Sequence, residues 1–456
     1  MLRQRIIVAL ALAPALVVSS LAGNARAAGG DAPTAGTLDP AVVAILKKID
    51  AKDLRAIDTR LVGFGTRNLF SEGLHSSTRG VYAARDWLAS QFGELANASA
   101  GRLTVKLDTY VQPKTERTPR AVETSSVYAT LRGDDPSRGT IVISSHYDSR
   151  NSDGNDVTLD APGADDNGSG TSAVLEAARA MAGSHFKSTI VFACFDGEEQ
   201  GLFGSAHFAK MLKDAGVRVE ANFNNDIMGA SLGHDGEHAP SDVRLFSEAL
   251  PAGAKPNLVN ATGTENDAPS RELARAAKEL GEAYVPGMHV NLVYRADRFL
   301  RGGDQESFAA QDFPAIRYVE AHENFDHQHQ NVRVEGGLQY GDLLAYVDFD
   351  YLARVTALNV AAMADLALAP IAPTVKLDAR KLAYDSTVTW TAVPDAVSYD
   401  VVWRQTPDAT WTHAKNVGNV TTATLPLSKD DWLFGVRARD AAGHTSVASF
   451  PTPLTK

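Results

Sequence analysis

Five short segments hold residue types that can ligate a cation or move a proton. They are His146-Tyr-Asp148, Asp165-Asp166-Asn167-Gly168, Asp196-Gly-Glu198-Glu199, Asn225-Asp226 and Glu323-Asn-Phe-Asp-His327-Gln-His329. Taken singly, each has an ordinary structural explanation: a surface pair, a good turn, a solvated acidic face. Their positions single them out. Four of them follow apolar, β-type runs (141–145, 190–195, the stretch around Phe223, and 315–319), and the Asp165 segment opens a helix. Open α/β sheets place their sites beyond the carboxyl ends of the strands. Carboxylates and imidazoles gathered there are costly to desolvate unless cations compensate. Imidazole nitrogen with carboxylate oxygen is a donor set that zinc takes, and one more Asp can bridge two metals.

The elements that must carry these segments are legible in the periodicity. Apolar spacing of three and four predicts helices over 41–58 and from a Ser76-Ser77 cap through Val81, Ala84, Trp87 and Leu88. The period then changes to strands at 103–111, 127–132 and 140–145. A helix over 173–181, a strand at 189–194, a helix over 206–212 and a strand near 222–228 continue the alternation, with further helices over 270–282 and 349–366. Such alternation predicts an α/β fold, a mostly parallel or mixed sheet with helices on both faces. Cys194 sits in one of these strands among apolar neighbours and is expected to be core. As the only cysteine it can form no intrachain disulfide.

With those motifs in place, the chain resembles the M28 family of zinc aminopeptidases over about residues 40 to 368. The matching residues are His-Tyr-Asp148, Pro-Gly-Ala-Asp-Asp-Asn-Gly-Ser-Gly170, Asp-Gly-Glu-Glu-Gln-Gly201 and Asn-Asp226-Ile-Met. The resemblance implies the zinc exopeptidase fold and two zinc ions per chain. One would be held by His146 and Asp226, the other by Glu199 and a late histidine, with Asp166 bridging. Asp148 would orient His146, and Glu198 would be the general base. The family's late histidine is usually followed four residues on by Asp. His327 has Asn331 at that distance, so His327 is taken as the ligand, with His329 as the alternative. Asp304-Gln305 stands where the family usually reads Asp-His, and these two residues are expected to line the substrate pocket. The activity implied is an aminopeptidase acting on peptides or proteins with a free N-terminus. A carboxypeptidase or dipeptidase, a single-zinc acyltransferase like glutaminyl cyclases, and a catalytically inactive binding module of this fold are the competing readings.

Composition bounds the rest. A length of 456 residues suggests two folded units, and 44% hydrophobic with 22% charged residues suits a globular protein with a full core. A net charge of −11 without any basic run argues against a nucleic-acid partner. Residues 1–27 read as a signal peptide. A basic start is followed by the apolar stretch from Ile6 to Val18, too short to span a bilayer, and then by Ala25-Arg-Ala27 as cleavage site. Export to a periplasm or the exterior follows, and no other segment is expected to cross a membrane. Residues 28–39 are expected to be disordered or cleaved, 40–368 to form the peptidase domain, and 369–373 to be a Pro-rich linker. Residues 374–456, with Trp390, Tyr399, Trp403 and Phe434, resemble a fibronectin type III β-sandwich. Such a module could attach the enzyme to a surface or polysaccharide, or serve solubility or export. The linker predicts few contacts across it, and the sequence leaves the oligomeric state open.

Overall fold

The computed structural model describes residues 38–248, 259, 262–380 and 382–454. The predicted signal peptide, and residues 28–37 of the stretch after it, lie outside the described residues. Asp39 is already folded: its carboxylate caps α1 (Pro40–Leu46) by accepting from the N–H of Ala41. The helix expected over 41–58 is two helices. Asp50 caps a fresh start by accepting from Lys52, which begins α2 (Ala51–Val62). The helix after Ser76-Ser77 begins later than that cap, as α3 (Val81–Ala98), with Ser71 Oγ accepting from the N–H of Val81.

Strands β1 (Leu103–Gln112), β2 (Val122–Leu131) and β3 (Thr140–His146) lead into α4 (Gly170–Met181) and β4 (Thr189–Phe195). The one-turn α5 (Glu198–Gly201), α6 (Phe203–Asp214) and β5 (Val219–Asn225) follow. Next come β6 (Asp242–Ser247), α7 (Pro269–Tyr284), β7 (His289–Val293), α8 (Asp304–Ala309) and β8 (Ala315–Glu320). After the short β9 (Arg333–Glu335) and β10 (Leu338–Tyr340), α9 (Phe349–Leu368) completes the α/β part.

The sheet is mixed and eight-stranded, in the order β1-β2-β4-β3-β5-β8-β6-β7. Its centre, β4-β3-β5-β8, is parallel. Antiparallel β2 and β1 extend one edge and antiparallel β6 the other. Every residue of β3 is buried, and eleven of the twelve residues of α4 are buried against the sheet. Because the four central strands run the same way, their carboxyl ends meet at one edge, where the chain switches from one side of β3 to the other. The helix α9 is long and apolar enough to span a membrane by composition alone, which the sequence reading had not anticipated. Of its 18-residue apolar window 78% is buried within the protein, as in a core helix.

Residues 375–454 form two further sheets, one of four strands and one of three, closed over Trp390, Tyr399, Val401, Trp403, Phe434 and Val436. The expectation of few contacts across the linker needs correction. Arg404 pairs with Asp267, the Trp411 indole N–H donates to Glu272 at 2.9 Å, and Arg437 meets Glu279 at 2.9 Å. His444 reaches back to Asp39 at 2.9 Å. A Pro-rich linker reports local stiffness only. The pairing of side chains more than a hundred positions apart leaves no local signal. Trp411→Ala should therefore lower the stability of the whole chain by about 3 kcal/mol, the usual cost of truncating a buried aromatic. Scanning calorimetry should show one transition shifted downward, whereas independent units would give two transitions with only the smaller one moved.

Candidate metal centre

His146 is the last residue of β3 and Asp226 directly follows β5, so two adjacent parallel strands deliver them to one point. The loop that brings Asp166 turns at Gly163, whose φ is +53°. A Cβ there would lie 2.6 Å from both the Asp166 carbonyl oxygen and Ser149 Cβ, so only glycine fits. A cis peptide joins Asp166 to Asn167. Asp342, which sequence reasoning missed, accepts from the N–H groups of Asp165 and Asp166 through its two oxygens, at 2.8 and 2.7 Å. Asp165 turns the other way, accepting from the N–H of Gly229 at 2.8 Å.

Asp148 ties two parts of the centre together. Its carboxylate accepts from the N–H groups of Glu198 and Glu199, each at 3.2 Å, while Nδ1 of His146 lies 3.2 Å from its backbone carbonyl and 3.4 Å from its Oδ1. With Nδ1 engaged there, Nε2 of His146 points inward. It lies 3.3 Å from Asp166 Oδ1, 3.4 Å from Asp226 Oδ1 and 3.9 Å from Glu198 Oε2. On the other side, His329 Nε2 stands 2.9 Å from Asp166 Oδ2 and 3.0 Å from Glu199 Oε2. The two oxygens of Asp166 thus face two separate donor groups, His146 with Asp226 and Glu199 with His329.

The donors fit cations. His146 Nε2, Glu199 Oε1 and Asp226 Oδ1 are buried without a hydrogen-bond partner, which is unfavourable for groups of this charge unless something positive sits among them. Zinc bonds of ~2.0–2.2 Å in a tetrahedron require ligand atoms about 3.3 Å apart, close to the His146 spacings. The electrostatics agree. Burial opposes charge on His329, yet Glu199 and Asp166 outweigh it and push its pKa up to about 10. Burial raises Asp226, but Arg317, 2.8 Å away, and His146 more than reverse this and hold it below the usual carboxylate range.

A likeness to known proteins is found at each level. The family model of peptidase family M28 matches residues 126–333. A probable zinc metalloprotease of Leptosphaeria maculans is 44% identical over 421 residues, spanning 90% of this chain and 97% of that protein. A second, from Pyricularia oryzae, is 43% identical over 93% of this chain and 87% of its own. This chain belongs to peptidase family M28. Among solved structures, the LapA aminopeptidase of Legionella pneumophila superposes with a TM-score of 0.52 at 21% identity, covering 74% of this chain and 77% of its own. An aminopeptidase from Aneurinibacillus gives 0.50 at 15% identity, covering 72% and 96%. These show the zinc exopeptidase fold.

Two expectations about this M28 site are corrected. His327 is not among the clustered donors: it is half-buried and stacked on Tyr346 with ring centroids 3.6 Å apart. The segment is a turn rather than an extended strand, and His329 takes a left-handed conformation (φ +54°) that swings it alone toward Asp166. Asn331, which suggested the other register, instead accepts from the N–H of Ser152. Nor do Asp304 and Gln305 line the cavity over the centre. Both are buried beneath it, Gln305 donating to Asp297 at 2.9 Å, and burial together with neighbouring acids holds Asp304 up at about 7, against the pull of His146. Gln328, which donates to Asp166 Oδ2 at 3.0 Å, and Arg317 carried no sequence signal, since each acts through a partner far along the chain.

His329→Ala should lose tight zinc binding at one of the donor groups and lower activity by orders of magnitude, while His327→Ala should keep its metal. Metal analysis of both purified variants decides this, and loss confined to the His327 variant would reverse the correction.

Proposed function

We propose that this M28 zinc metallopeptidase is a di-zinc aminopeptidase. The observation that carries this is the split carboxylate of Asp166, one oxygen toward each donor group. His146 and Asp226 would hold one zinc, Glu199 and His329 the other, with Asp166 shared. When bound, such a pair supplies an acidified water and polarises the scissile carbonyl. A single-zinc acyltransferase would leave one of the two donor groups without a purpose.

The chain's own residues supply the proton handling and the alignment. Glu198 lines the cavity, with its carboxylate free of the ligand groups. Burial raises its pKa well above the ordinary value. His146 opposes this, and Asp226 and Glu199 add to it. A carboxylate raised in this way accepts a proton from the attacking water readily and returns it to the leaving amine. Asp148 fixes where Glu198 stands by holding its backbone N–H, so base and His146 are placed by one residue. The free amino terminus of the substrate is the part of this reading that the LapA and Aneurinibacillus names support, being those of aminopeptidases.

The signal-like N-terminus supports export to a periplasm or the exterior. The C-terminal sandwich is proposed to be a fibronectin type III-like module.

Glu198→Gln should keep its zinc and lose about 10²–10⁴ in kcat, since it removes proton transfer and no ligand. Glu199→Gln should lose metal. Wild-type protein should cleave a peptide with a free amino terminus and fail on its N-acetylated twin. Equal cleavage of the two would exclude the aminopeptidase, and no chelator-sensitive cleavage of either would favour the inactive module.

A further inference from the structure

The cavity over the metal centre carries charge that the catalytic reading does not use. It encloses about 470 Å3, and five arginines line it: Arg117, Arg150, Arg298, Arg301 and Arg317. Apart from the ligands and the base, one lining carboxylate, Glu306, faces them.

Two of these arginines are balanced. Arg317 pairs with Asp226 and with Asp297, at 2.8 and 2.6 Å. Arg298 pairs with Asp297 and with Glu323 Oε2, at 2.9 and 2.7 Å. The other three are not. Arg301 reaches the same Glu323 oxygen only at 3.5 Å, and its closer partner is the neutral amide oxygen of Gln328, at 3.0 Å. The second oxygen of Glu323 serves Arg244 at 2.7 Å. Among the described residues Arg117 and Arg150 make no ion pair. Arg117 donates to the carbonyl of Glu199, and Arg150 to those of Asn151 and Ser152. Carbonyls satisfy N–H donors without cancelling the charge.

Glu306 offsets this surplus only in part, because burial and then Asp297 and Glu248 push it up to about 7. The two cations proposed above carry as much positive charge as Asp166, Glu198, Glu199 and Asp226 carry negative; Arg317 is then left to share Asp297 with Arg298, so the loaded cavity remains positive. A guanidinium presents a planar fork of donors that matches a carboxylate. Arg150 and Arg301 are half-buried and Arg117 is exposed, so the contact is worth more than in open water at the first two.

We propose that the cavity recognises a carboxylate on the substrate through Arg117, Arg150 and Arg301, so that preferred peptides present an acidic side chain or a free α-carboxylate close to the scissile bond. This rests on the metallopeptidase reading above. The test uses zinc-loaded, full-length protein and two substrate pairs. One pair is Asp- and Asn-initiated peptide amides. The other is a short neutral peptide with a free carboxyl terminus and its amide.

The charged member of at least one pair should have a kcat/KM at least about tenfold higher, mainly through KM, with an advantage that shrinks as salt rises. The pair that responds identifies the source of the carboxylate. Arg150→Gln and Arg301→Gln should each narrow the ratio about fivefold or more, and Arg301→Lys should restore part of it. Equal rates within both pairs, or a ratio that neither substitution moves, would overturn the proposal and leave the peptidase reading standing. Absence of chelator-sensitive cleavage of all four peptides would overturn the peptidase reading, and this proposal with it.

Discussion

The centre depends on a concentration of like charge that the fold could not tolerate by itself. Asp166, Glu199 and Asp226 are almost wholly buried, the last two each within 4.8 Å of Asp166, with Glu198 beside them. Carboxylates in that setting repel and lack hydration, and two imidazoles do not offset them. The surrounding structure serves to hold the donors in place against that repulsion. Asp342 grips the Asp166 loop by two N–H groups, Asp148 grips the Glu198–Glu199 turn by two more, and Arg317 braces Asp226 from behind. Each brace aims a side chain without occupying its inward-facing atom, which leaves a preformed polyhedron of ligands.

Much of this arrangement was legible because it is local. His146, Asp226 and the Glu198–Glu199 turn sit immediately beyond strands with strong apolar signatures, and parallel strands bring their ends together by construction. The histidine at 327 or 329 was not decided that way. Choosing between residues two apart requires knowing whether the backbone is extended, and here a left-handed turn at His329 reverses the order suggested by sequence spacing. Asp342, Arg317 and Gln328 act across 176, about 90 and 162 positions, separations at which no periodicity survives. The short strands β6 and β7 at one end of the sheet also escaped notice, since strands of six and five residues barely repeat a pattern.

The same long-range pairing governs how the C-terminal sandwich sits. Asp267, Glu272 and Arg275 from the α/β part are almost fully buried against Arg404 and Trp411 from the sandwich. Charges buried together in this way disfavour other docking geometries, because a mismatched interface would bury each without its partner. Around the cavity the balance tips the other way: arginines outnumber the carboxylates free to pair with them, and the proposal above gives that surplus to the substrate. One rule accounts for both places. Charge drawn out of water demands a partner, and where the chain does not supply one, the proposals above assign it to a ligand.

The central claim is that Asp166 serves two cations at once. Elemental analysis of full-length protein purified without chelator, combined with activity measured during stepwise zinc return to the stripped protein, tests it most directly. Two zinc ions per chain are expected, with full turnover only as the second is bound. Full turnover at one zinc per chain, with no further metal taken up, would contradict it.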